Sequence, residues 1–345
     1  MNTSYQVFPE KENLFQEFFS AMSGRRIFVL TDRNTKKHCW PQVREALPVN
    51  TKVLTLPPGE KHKNLATSEI VWEWLTRHHA DRSALLVCLG GGVVGDLGGF
   101  CASVYKRGIP FVQIPTSLLA MADACLGGKT GVDFHHFKNQ LGTFSAAEKA
   151  LIWPGFLKTL PQAELLSGFA EVIKHALIAD AGAWQILRKK ELMGQDWEKL
   201  IQASLAAKAR IVENDPLESG ERQKLNAGHT LGHALESWLL KSGKPLPHGH
   251  CVAAGLVMES RIALEKGLLQ EHELIEMEEL IFSLYGKIEF RKRDYNAIVR
   301  FTLQDKKNQS GIVKMALIGP AGHCHTGMDV STKEQIMALE YYAGV

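Results

Sequence analysis

Charge of one sign is what this chain has little of. Its 345 residues carry 40 lysines and arginines against 37 aspartates and glutamates, a net charge of +3. So small an excess excludes a general attraction to nucleic acid or to a membrane surface, and any cationic site must be local and aimed at a small anion. No C-x-x-C pair occurs. The six cysteines are scattered, several in apolar runs such as LLVCLG, and read as reduced core residues of a cytoplasmic protein. The first residues, MNTSYQVF, show no basic segment followed by an apolar block, so no signal peptide is expected. No uncharged apolar stretch is long enough to span a bilayer. Internal repeats and low-complexity segments are also missing. What remains is an ordinary soluble composition, 45% hydrophobic and 22% charged, on a chain long enough for two domains.

The first part alternates short apolar runs with helical segments. Arg26–Leu30, Lys52–Leu56, Ala84–Leu89, Phe111–Ile114 and Lys149–Ile152 read as strands, and Thr67–His78 reads as a helix. Strands that alternate with helices predict a parallel sheet covered on both faces. After Trp153-Pro154-Gly155 the pattern changes to successive amphipathic helices over Gln162–Ala179, Asp196–Glu213, Lys224–Lys241 and His250–Lys266. One late strand, Ile312–Ile318, follows a turn at Asn308–Gly311. The expected division is an α/β domain over 1–160 and a helical domain over 161–345.

Three features carry chemistry. The strand ALLVCL runs into GGGVVGDLGGF, where bare backbone at Gly91 and Gly92 would let a phosphate approach a helix N-terminus, or would let helix and sheet pack closely. Asp32, after the first strand, would bind a ribose or cap a helix. LNAGHTLGHALE places His229 and His233 four apart on one helical face, and PHGH adds His248 and His250. Imidazoles so grouped suit a metal, but Thr230 stands where a zinc protease has its glutamate, so hydrolysis by that route is not supported. Third, polar residues interrupt apolar helices. Glu171 and Lys174 lie three apart, either a solvated ion pair or part of a site. Lys208 falls in the stripe of Ile201, Leu205, Ile211 and Val212, either snorkelling or pointing into a pocket. Arg222, Lys224 and Asn226 precede the histidines, and the loop-like GGKTGVDFHHFKN offers Lys129, Lys138 and Asn139. Cations gathered from such element ends suit a substrate with both phosphate and carboxylate.

The strings GGGVVGDLGGF, YKRGIPFVQIPTSLLAMADACLGGKTGVD, LPQAELLSGFAEVIKHALI, LNAGHTLGHALE and DKKN occur in order, from about Arg26 to Gly322, and together resemble the 3-dehydroquinate synthase family of sugar-phosphate cyclases. The resemblance implies a Rossmann-like α/β domain, a C-terminal helical domain and an active site in the cleft between them. It implies NAD and a divalent metal, zinc or cobalt, as cofactors. The metal ligands it implies are Glu171, His229 and His248, so His233 faces substrate instead. The catalytic group is Asp123, Lys174, Asn226 and His233; the substrate-binding group is Lys129, Asn139, Lys208, Arg222 and Lys307. Nucleotide positions fall on Asp32, Asn34, Glu60, Lys63, Gly91, Gly92, Asp96, Thr116 and Thr159. Arg107 would enter the neighbouring subunit's site, which implies a homodimer. Many members read H-G-E where this chain reads His248-Gly249-His250, and alignment leaves His250 as a supporting or merely packed residue. The implied reaction converts 3-deoxy-D-arabino-heptulosonate 7-phosphate to 3-dehydroquinate and phosphate by transient oxidation with NAD, phosphate elimination, re-reduction, ring opening and aldol closure. The alternatives are another cyclase, of inosose or valiolone type, and a metal-dependent polyol dehydrogenase.

Overall fold

The computed structural model describes residues 3–8, 14–22, 24–135, 137–302 and 313–344. The chain divides into two compact units, Met1–Pro161 and Gln162–Val345.

The first unit is built on a six-stranded sheet. Its strands are β1 (Ser4–Val7), β2 (Ile27–Asp32), β3 (Lys52–Leu56), β4 (Leu85–Gly90), β5 (Phe111–Pro115) and, after a hairpin of β6 (Lys129–Phe134) and β7 (Phe137–Phe144), β8 (Lys149–Ile152). The order across the sheet is β1-β8-β5-β4-β2-β3, and every pairing is parallel. Central strands are buried along their whole length, as in LLVCLG of β4, because helices cover both faces. From β2 the chain steps one way to β3 and then the other way to β4. That reversal opens a crevice at the carboxyl ends of β2 and β4, the place where doubly wound sheets bind ligands. Five expected strands appear within a residue or two; β1 and the β6–β7 hairpin are additional.

The second unit is mainly helical. Gln162–Ala179, Trp197–Asn214, His229–Lys241, His248–Glu265, Glu271–Tyr285 and Thr332–Gly344 are its longer helices. The expected strand near Ile312–Ile318 is β9 (Val313–Ile318), which pairs antiparallel with β10 (Cys324–Val330). The turn expected before it, and Lys307, lie outside the described residues. One expected helix is corrected. Lys224–Lys241 is broken: a 3₁₀ segment, Glu221–Asn226, ends at Ala227, and the helix starts again at His229 after Gly228, which is left-handed at φ 75°. Gly228 must be bare because a Cβ there would lie 2.7 Å from Leu256 Cγ. His248 and not His250 opens the next helix. No helix among the described residues is long and apolar enough to cross a membrane.

Candidate active site

In the helical unit, the cluster is centred on Glu171. The helix Gln162–Ala179 buries almost its whole length, so Glu171 and Lys174 are enclosed, at 1% and 2% exposure. They pair with each other through Glu171 Oε2 and Lys174 Nζ. The solvated ion-pair reading of these two residues is therefore corrected. His229 Nε2 lies 3.3 Å and His248 Nε2 3.5 Å from Glu171 Oε1. None of these approaches has hydrogen-bond geometry, so both carboxylate oxygens are buried without a hydrogen-bonding partner among the described residues. Burial alone would raise the Glu171 pKa, but Lys174 and then His229 and His248 hold it well below the usual carboxylate range. His233 stands one turn along from His229. The ring centroids of His229, His233 and His248 are 5.0–5.5 Å apart, and one ring nitrogen from each lies within 4.8 Å of the others, close enough that the three could hold a metal ion.

The outer nitrogens of two imidazoles are already committed. His229 Nδ1 is 3.0 Å from the carbonyl of Ala227, which can only accept, so that nitrogen carries the proton. His248 Nδ1 is 3.2 Å from Glu236 Oε2. In the neutral rings both Nε2 lone pairs then face Glu171. This is how metal-ligating histidines are oriented. Glu171 and Glu236 also raise the His248 pKa to about 9 against the opposing pull of burial. His250 is elsewhere: its ring packs edge-on against Tyr285, at 5.3 Å and 88°.

Three more of the expected site residues lie in this unit. Lys208 is 6% exposed, so it does not snorkel. Arg222 is buried and donates from Nη1 to the Pro216 carbonyl at 2.7 Å. Asn226 donates to Glu218 at 2.9 Å. The loop that presents them is organised by Asp215, whose carboxylate accepts from the backbone of Ser219, Gly220 and Arg222. Burial opposes these donors, yet together they bring its pKa down to about 2. Asp215 and Glu236 were not legible as supports of these residues, because acids in helical or turn sequence look solvated.

In the α/β unit a second cluster surrounds Lys63, which is 3% exposed. Its ammonium donates to Asp96 and to Asn139 Oδ1, each at 2.6 Å, and lies 3.7 Å from Glu60. Asn139 adopts φ 51° and is held by a backbone bond to Asp133 Oδ1 at 2.8 Å. Asp133 carried no signal in the sequence. The glycine turn after β4 leads into a helix, Gly92–Val104, whose N-cap Gly91 has no side chain to satisfy the first N–H groups. Thr116 is buried just beyond β5. Asp32 is a helix cap, accepting from Asn34 and Thr35 at 2.8 and 2.9 Å. Asp123 sits in a π-helical turn, Ala120–Ala124, a form often found at functional sites. Arg107 is exposed in the turn Tyr105–Arg107. Lys129 and Thr159 are exposed as well.

A parallel sheet followed by a helical unit with this arrangement is the fold of the sugar-phosphate cyclases. The 2-epi-5-epi-valiolone synthase ValA of Streptomyces hygroscopicus subsp. jinggangensis, solved with NAD+ and Zn2+, superposes with a TM-score of 0.87 at 27% identity over 100% of this chain and 97% of that one. A 2-deoxy-scyllo-inosose synthase complexed with carbaglucose-6-phosphate, NAD+ and Co2+ shares the fold at a TM-score of 0.84 and 19% identity, over 99% of both chains. Profiles of the N-terminal and C-terminal parts of 3-dehydroquinate synthase match residues 53–167 and 168–308. The 3-dehydroquinate synthase of Parabacteroides distasonis is 36% identical over 332 residues, 95% of this chain and 94% of that protein. The chain belongs to the 3-dehydroquinate synthase family.

Proposed function

We propose that this chain converts 3-deoxy-D-arabino-heptulosonate 7-phosphate to 3-dehydroquinate and phosphate, with NAD and a divalent metal as resident cofactors, in the cytoplasm. The observation that supports it most is the buried Glu171 carboxylate, paired with Lys174 and faced by two imidazoles whose outer nitrogens are already tied. One carboxylate and two neutral imidazoles make a three-ligand set with room for substrate, as catalytic zinc requires. Glu171, His229 and His248 would hold the metal, and zinc or cobalt there would polarise a substrate hydroxyl. The uncapped turn at Gly91 and Gly92 suits the cofactor's pyrophosphate, with Asp32, Asn34, Glu60, Lys63, Asp96, Thr116 and Thr159 as its other contacts. Bound NAD would supply a reversible oxidation at C5.

The chain's own residues bind, orient and move protons. Lys129, Asn139, Lys208, Arg222 and Lys307 would hold the phosphate and carboxylate of the substrate. Lys174, its ammonium buried beside Glu171, would stabilise negative charge as C6 loses its proton. His233, exposed at the edge of the cluster, would exchange protons with substrate oxygens, and Asp123 and Asn226 would orient them.

Oxidation and re-reduction at one carbon leave no net redox change. Turnover is therefore expected to need NAD only in catalytic amount. Phosphate release and reduced-cofactor absorbance are followed together on heptulosonate phosphate. NADH equal to the phosphate released would overturn the cyclase reading in favour of a dehydrogenase.

Arg107 is proposed to complete the anion site of a second copy in a homodimer. Lys106 and Arg107 both hold positive φ, 51° and 65°, in an exposed turn. Two consecutive non-glycine residues so placed cost about 1–3 kcal/mol each, and such strain concentrates at functional positions. Arg107→Ala and Lys129→Ala should each be inactive alone. Refolded together so that subunits mix at random, half the dimers are mixed and each has one intact site, so about a quarter of wild-type activity returns. No recovery from well-mixed dimers would exclude the shared site.

A further inference from the structure

The helix that carries His229 and His233 begins without a cap of its own. An α-helix leaves its first N–H groups without intrahelical acceptors, and a side chain at the N-cap usually serves one of them. Here the N-cap is Gly228, and the first turn contains no acid. The acceptor comes from the neighbouring helix, His248–Glu265. Glu259 Oε2 accepts from Gly228 N at 2.7 Å, and Glu259 Oε1 accepts from Leu231 N at 2.9 Å. Both oxygens are used, and the side chain is 1% exposed.

The approach depends on two glycines. A Cβ on Gly255 would lie 1.9 Å from the Gly228 carbonyl oxygen, so the backbones meet there directly. This brings Glu259, one helical turn further on, up to the start of the histidine helix. His229 is the first residue of that helix, and its Nδ1 is bonded to Ala227. The bonds to Gly228 and Leu231 therefore bracket His229, while the bond to Ala227 sets its ring.

A buried carboxylate is costly unless it is well bonded. Burial lifts the Glu259 pKa to about 8, while the backbone donors pull it down. A hydrophobic residue in its place would leave the N–H groups of Gly228 and Leu231 without this acceptor, at the very start of the helix that carries His229. We infer that Glu259 is a positioning residue of the metal site, capping the histidine helix so that His229 Nε2 is held facing Glu171. This rests on His229 as a metal ligand.

The test uses full-length protein and zinc alone, with affinity measured by competition against a chromophoric chelator. Glu259→Gln keeps the shape but turns an amide donor toward a backbone donor, so one of the two bonds is lost. Zinc affinity should fall about 10–100-fold, the usual effect of removing an outer support of a metal ligand. Ser260→Ala, an equally buried change on the same helix, should leave it unaltered. Wild-type affinity in Glu259→Gln, or an equal loss in Ser260→Ala, would overturn the inference. If Glu259→Gln does not fold, wild-type amide exchange decides: zinc should slow exchange at Gly228 and Leu231, and no slowing would overturn it. His229→Ala separates the two readings. Undiminished zinc binding there defeats the ligand assignment itself. Loss there with retention in Glu259→Gln defeats only the positioning role.

Discussion

Glu171→Gln is expected to release the metal and to unfold at a markedly lower temperature. Glu171 and Lys174 are a buried ion pair, 1% and 2% exposed. Removing one partner of such a pair leaves the other charge uncompensated and costs about 3–5 kcal/mol. At about 2–4 °C per kcal/mol for a unit of this size, the zinc-free midpoint should drop by roughly 6–20 °C. The pH dependence should change too. The Glu171 pKa is depressed in the fold, so its contribution is present above the unfolded value, about 4.3, and is lost as pH falls through the folded one. His248 is the opposite case. Its pKa is raised to about 9, so its contribution is complete below the unfolded value and is lost as pH rises through about 9. Zinc must displace that proton, so uptake by the wild-type apoprotein should strengthen with pH up to about 9. Glutamine removes one of the two acids that hold the His248 proton, so the alkaline limb should move to lower pH. Metal content by mass spectrometry and calorimetry across pH check both parts. A glutamine variant with stoichiometric zinc and a wild-type midpoint would sink the assignment.

Much of the fold was legible because its signals are local. Strands buried on both faces read as continuous apolar runs, so β2, β4, β5 and β8 could be placed from sequence, and the half-exposed edge strand β3 showed as the short run KVLTL. The β6–β7 hairpin was read as a loop because its residues are glycine-rich and polar, and Asn139 there holds a left-handed backbone that nothing local announces. The break before His229 was hidden for another reason. Ala227, Leu231, Ala234 and Leu235, all buried, keep helical spacing across it, and the left-handed Gly228 is demanded by Leu256 and Gly255 on another helix. Lys208 could not be decided either, since the stripe it interrupts is apolar whether the ammonium emerges or stays buried. Asp32 turned out to be a helix cap, the bland alternative, although its place at the end of β2 leaves it beside the switch-point crevice. Of the site, the histidines stood out because His229 and His233 share one helical face and PHGH adds two more imidazoles. The acids that support them did not. Glu236 and Glu259 become recognisable only when a neighbouring helix shows what they accept from.

Gly249→Ala should disrupt the metal centre nearly as completely as loss of a ligand, through a residue with no functional atoms. Gly249 follows His248 at the start of its helix and packs on the helix that carries Glu171. A Cβ at Gly249 would lie 2.1 Å from the Ser167 carbonyl oxygen and 2.5 Å from Ser167 Cα. Both are backbone atoms of a buried helix, so no side chain can swing away. Relief requires the helices to separate by about an ångström, and such overpacking typically costs about 1–3 kcal/mol, occasionally more. Separation would also stretch the 3.1 Å bond from Gly249 N to Ser167 Oγ. Its larger consequence is geometric. His248 Nε2 and Glu171 Oε1, now 3.5 Å apart, would move away from each other, and ligands displaced by that much no longer close a tetrahedral site. The expected result is a folded protein with a modestly lower midpoint and little bound zinc. Ser167→Ala removes only the hydroxyl bond and should keep most of the metal. If Gly249→Ala binds zinc as the wild type does, the close approach of these helices is not what sets the distance between His248 and Glu171.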